Sequence, residues 1–133
     1  KRYPNGFAVV FHHFPLSYHH LAYPLARASE CAATQGHFAE FYDSAYAKQS
    51  DMGVISIAQL GAVAGVPDTA RFNRCFSDTA RVLAIDSDIA TAKRLGVAGT
   101  PGLALGDSLL SDQSGLPSAA ELERRIAGRI GAH

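Results

Sequence analysis

The Gly99-Thr100-Pro101 turn constrains this chain more than any other feature. It follows a helical stretch that closes at Leu95-Gly96 and precedes a short apolar run that starts at Gly102. Only an X-Pro bond adopts the cis form at a cost as small as about 0.5–1 kcal/mol, so a proline at the mouth of a strand is a cis candidate. A cis turn there would present the backbone of Thr100 to an extended peptide as an added strand. The alternative is a trans loop proline, which is the commoner case for X-Pro bonds in general. The chain carries two cysteines, Cys31 and Cys75. They are far from the close spacing with which one thiol attacks and its neighbour resolves a mixed disulfide.

Size and charge narrow the classes. A chain of 133 residues fits one domain and can bury a core. Twelve basic side chains balance twelve acidic ones, which gives no electrostatic reason to expect nucleic acid or an anionic membrane as a partner. No apolar run approaches the roughly 20 residues of a spanning helix. Lys1 to Gly6 is turn-rich, with no signal-like apolar region behind it, so an export signal, if the natural protein has one, is expected to have been removed.

Phe7-Ala8-Val9-Val10-Phe11 is apolar on both alternating sets of positions, as in a strand buried on both faces, and it predicts a strand running on through His12-His13-Phe14 to Pro15. From Leu16 to Gly96 the periodicity is helical. Leu21, Leu25, Ala28 and Ala32 keep helical spacing, with Pro24 confined to a first turn or a kink. Gln35-Gly36 breaks that helix. Phe38, Phe41, Tyr42, Ala45 and Tyr46 make one apolar face, expected in the core. Ser50 to Gly53 reads as a loop, Ser56 to Ala64 as a short helix closed near Gly65, and Asp68 as the N-cap of a helix over Thr69 to Phe76. Val82, Ile85, Ile89 and Ala92 share one face of a longer helix with Gly96 just past its end. Beyond Pro101, Gly102–Leu105 and Ser108–Leu110 flank Gly106-Asp107 as a hairpin. Ser111 to Pro117 reads as a loop. Ser118 with Glu121 predicts a capping box for a last helix carrying Leu122, Ile126 and Ile130.

Four stretches in this order resemble the DsbA-like branch of the thioredoxin superfamily. They are Val9 to Leu16; Glu30-Cys31-Ala32 with Gln35-Gly36-His37-Phe38; Arg71 to Cys75; and Ala92 to Val97 leading into Gly99-Thr100-Pro101. The resemblance spans nearly the whole chain. It implies an α/β thioredoxin-like fold, a single DsbA-like domain over 1–133. Residues 16–96 form its inserted helical domain, and 1–15 with 97–133 its thioredoxin-like part. It further implies a thiol-disulfide oxidoreductase of exported proteins, working in an extracytoplasmic compartment on cysteine-containing or extended polypeptides and with a redox partner protein.

The pattern departs from that family in one respect. The family places a first strand and a Cys-x-x-Cys helix ahead of the run matching Ala8 to Phe14, and here six residues precede Phe7. The expectation is therefore an oxidoreductase whose catalytic Cys-x-x-Cys and first strand lie outside this chain, with no catalytic residue within it. A redox-inert thioredoxin-fold peptide-binding module is the alternative. The glutathione-transferase-like branch, which uses a serine or a thiol cofactor, suits Cys31, Cys75 and Gln35-Gly36 less well.

Within the chain, the resemblance implies that Gly99, Thr100 and Pro101 bind substrate with Pro101 cis. It also implies that Cys31 and Cys75 pair as a structural disulfide. From the residues alone, a bridge between two helices and two buried thiols both remain open. A bridge of that span is worth about 4 kcal/mol in the chain-entropy account and points to an oxidising compartment.

No cofactor and no metal site is expected. His12-His13 and His19-His20 are adjacent pairs, but neighbours in a strand face opposite ways, and no cysteine or acid completes a converging set. These histidines read as surface or strand-end groups. Asp86-Ser87-Asp88 reads as a solvated helix face, and Arg124, Arg125 and Arg129 as complements to a helix dipole.

Overall fold

The computed structural model describes residues 6–111 and 115–131. In chain order these form α1 (Ala22–Ala33), α2 (Phe38–Ala47), a 3-10 turn (Gln49–Asp51), α3 (Ile57–Val63), α4 (Thr69–Ser77), α5 (Leu83–Arg94), β1 (Ala104–Leu105), β2 (Ser108–Leu109) and α6 (Ala119–Ile130). The chain divides into two compact units. One is 15–86; the other combines residues of 1–14 with residues of 87–133.

The 15–86 unit is a helical cluster with its own core. Ala28, Cys31 and Ala32 of α1, Phe41 of α2, Leu60 and Ala64 at α3, Val66, and Phe72 of α4 form one buried cluster. The small residues of α1 let Phe41 and Phe72 meet with ring centroids 5.7 Å apart, and Phe72 continues to Phe76 at 5.2 Å. Gly61 lies so close to Phe72 that a Cβ there would fall 2.4 Å from the ring. Glycine is therefore required by packing inside a helix it otherwise weakens.

Helix ends follow local chemistry. Pro24 falls in the first turn of α1, where its missing N–H costs nothing. Asp68 caps α4 by accepting from the Arg71 N–H at 2.8 Å. Gln35 and Asp68 exchange two further bonds: the Asp68 N–H donates to Gln35 Oε1 at 3.0 Å, and Gln35 Nε2 donates to the Asp68 carbonyl at 3.2 Å. Ser56 and Gln59 form a full capping box on α3. Gly36 and Gly96 leave their helices with φ of +78° and +80°.

The apolar face over Phe38 to Tyr46 is a partial correction. Phe41 alone of that set is fully buried. Phe38 instead stacks on Tyr42 at 6.3 Å along α2, and Tyr42 meets Tyr46 at a tilt with centroids 4.7 Å apart.

The other unit holds the hairpin and α6. β1 and β2 pair antiparallel in the register Ala104↔Leu109 and Leu105↔Ser108. Gly106, at φ +60°, opens the two-residue turn, and the Leu110 N–H extends the pairing to the Leu103 carbonyl at 2.7 Å. The strand expected from Ala8 to Phe14 is absent. Among the described residues this hairpin is the whole sheet, so the 7–14 segment has no ladder to join. Val9 and Val10 stand 86% and 69% exposed.

α6 also differs from expectation. Ser118 accepts from the Glu121 N–H at 3.2 Å, but the Glu121 carboxylate turns to Arg124 and Arg125 instead of closing a box. The expected loop over Ser111 to Pro117 lies partly outside the described residues.

Candidate functional site

Val97 and Ala98 lead from the end of α5 into the Gly99-Thr100-Pro101 turn. Gly96 redirects the chain at positive φ, and its N–H and that of Val97 bond back to the carbonyls of Lys93 and Ala92 at 3.0 and 2.9 Å. The turn is thereby tethered to a helix end on one side and to the hairpin on the other. On the hairpin side the Leu103 N–H donates to Ser111 Oγ at 3.3 Å.

The Thr100–Pro101 peptide bond is cis. Thr100 and Pro101 are exposed and Gly99 is half-buried. Among the described residues no hydrogen bond engages the Thr100 N–H or carbonyl. Gly102 is tight: a Cβ there would lie 2.9 Å from the Val97 side chain, so the residue after the proline must stay small for Val97 to pack beneath it.

Cys31 and Cys75 are joined to each other, with Cα atoms 5.8 Å apart, and no free cysteine remains. Cys31 belongs to the core cluster at 2% exposure, while Cys75, in the last turns of α4, is half-buried. The bridge lies in the 15–86 unit and the Gly99–Pro101 turn in the other. The two cysteines are committed to one bond, so neither is a thiol nucleophile in this state.

Of the His12-His13 pair, His12 is exposed as expected and His13 is not. His13 is 6% exposed, its ring edge-on to Phe11 at 5.0 Å. Its N–H donates to Asp88 Oδ2 at 2.8 Å, while His12 Nδ1 meets Asp88 Oδ1 at 2.6 Å. One carboxylate of α5 thus fastens the segment that precedes α1. Asp86 likewise is not an idle surface acid, for it accepts from Arg81 Nε at 2.8 Å. The Asp88 role could not be read locally, because each of its partners lies more than seventy residues away. Among the described residues no three His, Cys, Asp or Glu side chains converge as a metal site.

The family described as Thioredoxin matches residues 7–124. The chain belongs to the thioredoxin family. Neither a curated protein nor a solved structure gives a significant match. In this thioredoxin-family domain, mixed helices accompany a two-stranded sheet, and the matched span takes in the Gly99–Pro101 turn and both cysteines. Membership of this family suggests redox or disulfide chemistry. No helix among the described residues is long and apolar enough to cross a membrane.

Proposed function

We propose that this chain is the substrate-docking and bracing part of a DsbA-like thiol-disulfide oxidoreductase that acts on cysteine-containing or extended polypeptides in an extracytoplasmic compartment. Gly99, Thr100 and Pro101 bind the substrate, with Thr100 lending its backbone as one edge of an added strand. Residues 16–96 form the helical insert of a single domain over 1–133, and the Cys31–Cys75 bridge braces that insert. The reactive Cys-x-x-Cys and the first strand are supplied from outside this chain, together with a redox partner protein that resets the dithiol.

The observation that carries this reading is that Thr100 is exposed, with neither its backbone N–H nor its carbonyl engaged among the described residues. An extended peptide gains affinity by pairing with such groups and specificity from the side chains beside them. The mutual pairing of the two cysteines supports a catalytic dithiol elsewhere and an oxidising compartment. The apolar segment 7–11, which lies in no strand among the described residues, supports a sheet completed by a further strand.

The test is the intact mass of the naturally produced protein, alkylated after unfolding, with and without reduction. Four or more cysteines at a larger mass support the oxidoreductase. Two cysteines at the mass of this chain overturn it in favour of a redox-inert peptide-binding module. A second arm is insulin reduction by this chain alone: no turnover is expected, and turnover would contradict the assignment of catalysis to outside residues.

A further inference from the structure

The two cysteines differ in burial. Cys31 is packed among Ala28, Ala32 and Phe41 in the core of the 15–86 unit, whereas Cys75 is half-buried near the end of α4. Both line a cleft of about 250 Å³ with the loop that follows α4 as one wall. Arg27 and Arg81 are its cationic groups. Arg27 donates to the Asp78 carbonyl and lies over the Tyr23 ring at 5.6 Å, which fixes its guanidinium beside the loop. Arg81 is bonded through Nε to Asp86 and its side chain is 80% exposed. A guanidinium carries five donors, and these contacts leave several on each for a carboxylate. Of the acids at the cleft, Asp78 is occupied by the Ala80 N–H at 2.9 Å, and Glu30 is also engaged.

We propose that the Cys31–Cys75 bridge is a thiol-exchange site, opened at Cys75 by a low-molecular-weight thiol bearing carboxylates that seats in this cleft against Arg27 and Arg81. The incoming thiolate attacks Cys75 Sγ. The Sγ–Sγ bond breaks, the electron pair leaves on Cys31 Sγ, and that sulfur takes up from solvent the proton that the small thiol released on ionising. Cys75 is left in a mixed disulfide with the small thiol. A second molecule of the same thiol attacks the small-molecule sulfur of that adduct and releases the Cys75 thiol. The balance is two small thiols oxidised to their disulfide and one protein disulfide reduced to two thiols. This modification is independent of peptide docking at Thr100.

The test uses the folded chain with its bridge intact. It is incubated with reduced glutathione, with neutral 2-mercaptoethanol and with cationic cysteamine, each at equal thiolate concentration, and trapped by alkylation. Intact mass and peptide mapping then read the adducts. The expected result is a glutathione adduct on Cys75, formed about tenfold faster than the cysteamine adduct, with that preference falling at high salt. Arg81→Gln, at an exposed position, should remove most of the preference while circular dichroism stays unchanged. Three results would each overturn the proposal. They are equal rates for the three thiols, an adduct on Cys31, and opening only at denaturant concentrations that unfold the helices.

Discussion

The two units of this chain are built on different terms. The 15–86 unit buries Phe41, Leu60 and Phe72 completely and fastens α1 to α4 with a covalent bridge. In the other unit, among the described residues, only His13 and Ala92 are buried. It carries the exposed turn at Thr100 and an apolar segment, Phe7 to Phe11, that joins no ladder. Stability and accessibility are therefore assigned to separate stretches of sequence. A packed core gives the first unit its own cooperative unfolding, whereas low burial leaves the second at the more labile end of the molecule.

The strongest way to break this contrast is Phe72→Ala. Losing a fully buried ring that touches Phe41 and Phe76 should cost about 3–5 kcal/mol, read by urea unfolding of the helical signal. A loss below about 1 kcal/mol would mean the cluster is not the core. The double variant Cys31→Ser/Cys75→Ser should cost about 3–4 kcal/mol in the same experiment, since the bridge closes a long loop.

Gly61→Ala should cost about 1–3 kcal/mol by driving a methyl into Phe72, although alanine favours helices. A stabilised variant would show that the ring moves aside freely. Asp88→Ala tests the other unit. It strands the His13 N–H and should cost about 1–2 kcal/mol, seen as lost hydrogen-exchange protection at His13 while the unfolding midpoint of 15–86 holds. If both units loosen together, their separation is wrong.

The smallest effects separate the units by pH. The hydrogen bond from Arg125, with the charge of Arg124, holds the Glu121 carboxyl below its ordinary range. Its contribution is present above the unfolded pKa and lost as pH falls through the folded one. Partial burial, with Tyr42 adding to it, raises the Tyr46 hydroxyl above 10.0. That contribution is full below the unfolded pKa and lost as pH rises through the folded value. Glu121→Gln should therefore flatten only the acid side of a melting-temperature profile, and Tyr46→Phe only the alkaline side. Because both groups are largely open to water, each change should be slight.

What could be read from the sequence was what neighbouring residues decide. Asp68 as a cap, glycine at 36 and 96, Pro24 in a first turn, and the Gly106-Asp107 hairpin rest on contacts within a few positions, and the structure has each of them. Periodicity placed helices from Leu16 onward, whereas the first begins at Ala22, and it did not show which side chains of α2 reach the core, since that depends on where α4 places Phe72. The Phe7–Phe11 run has the composition of a buried strand, yet composition supplies no partner. The Asp88 clamp was invisible for the same reason, its partners being distant in sequence. For the candidate site, the residues of the turn were legible because X-Pro and glycine punctuate the chain. The open backbone at Thr100 and the cleft beside Cys75 depend on folds of the chain that no local pattern encodes.

The reciprocal pair between Gln35 and Asp68 has a bearing on time as well as on shape. It ties the end of α1 to the start of α4 by bonds that no reductant touches. When a small thiol opens the link nearby and stays on Cys75 as a mixed disulfide, these two helices keep one fixed pivot, and the Cys31 thiolate faces that mixed disulfide at a high effective concentration. Re-closure is then an intramolecular exchange, in which Cys31 attacks Cys75 Sγ, the protein bridge re-forms and the small thiol leaves, in competition with a second small thiol. Under the proposed thiol exchange, the brace is a latch that resets without the helical unit first unfolding.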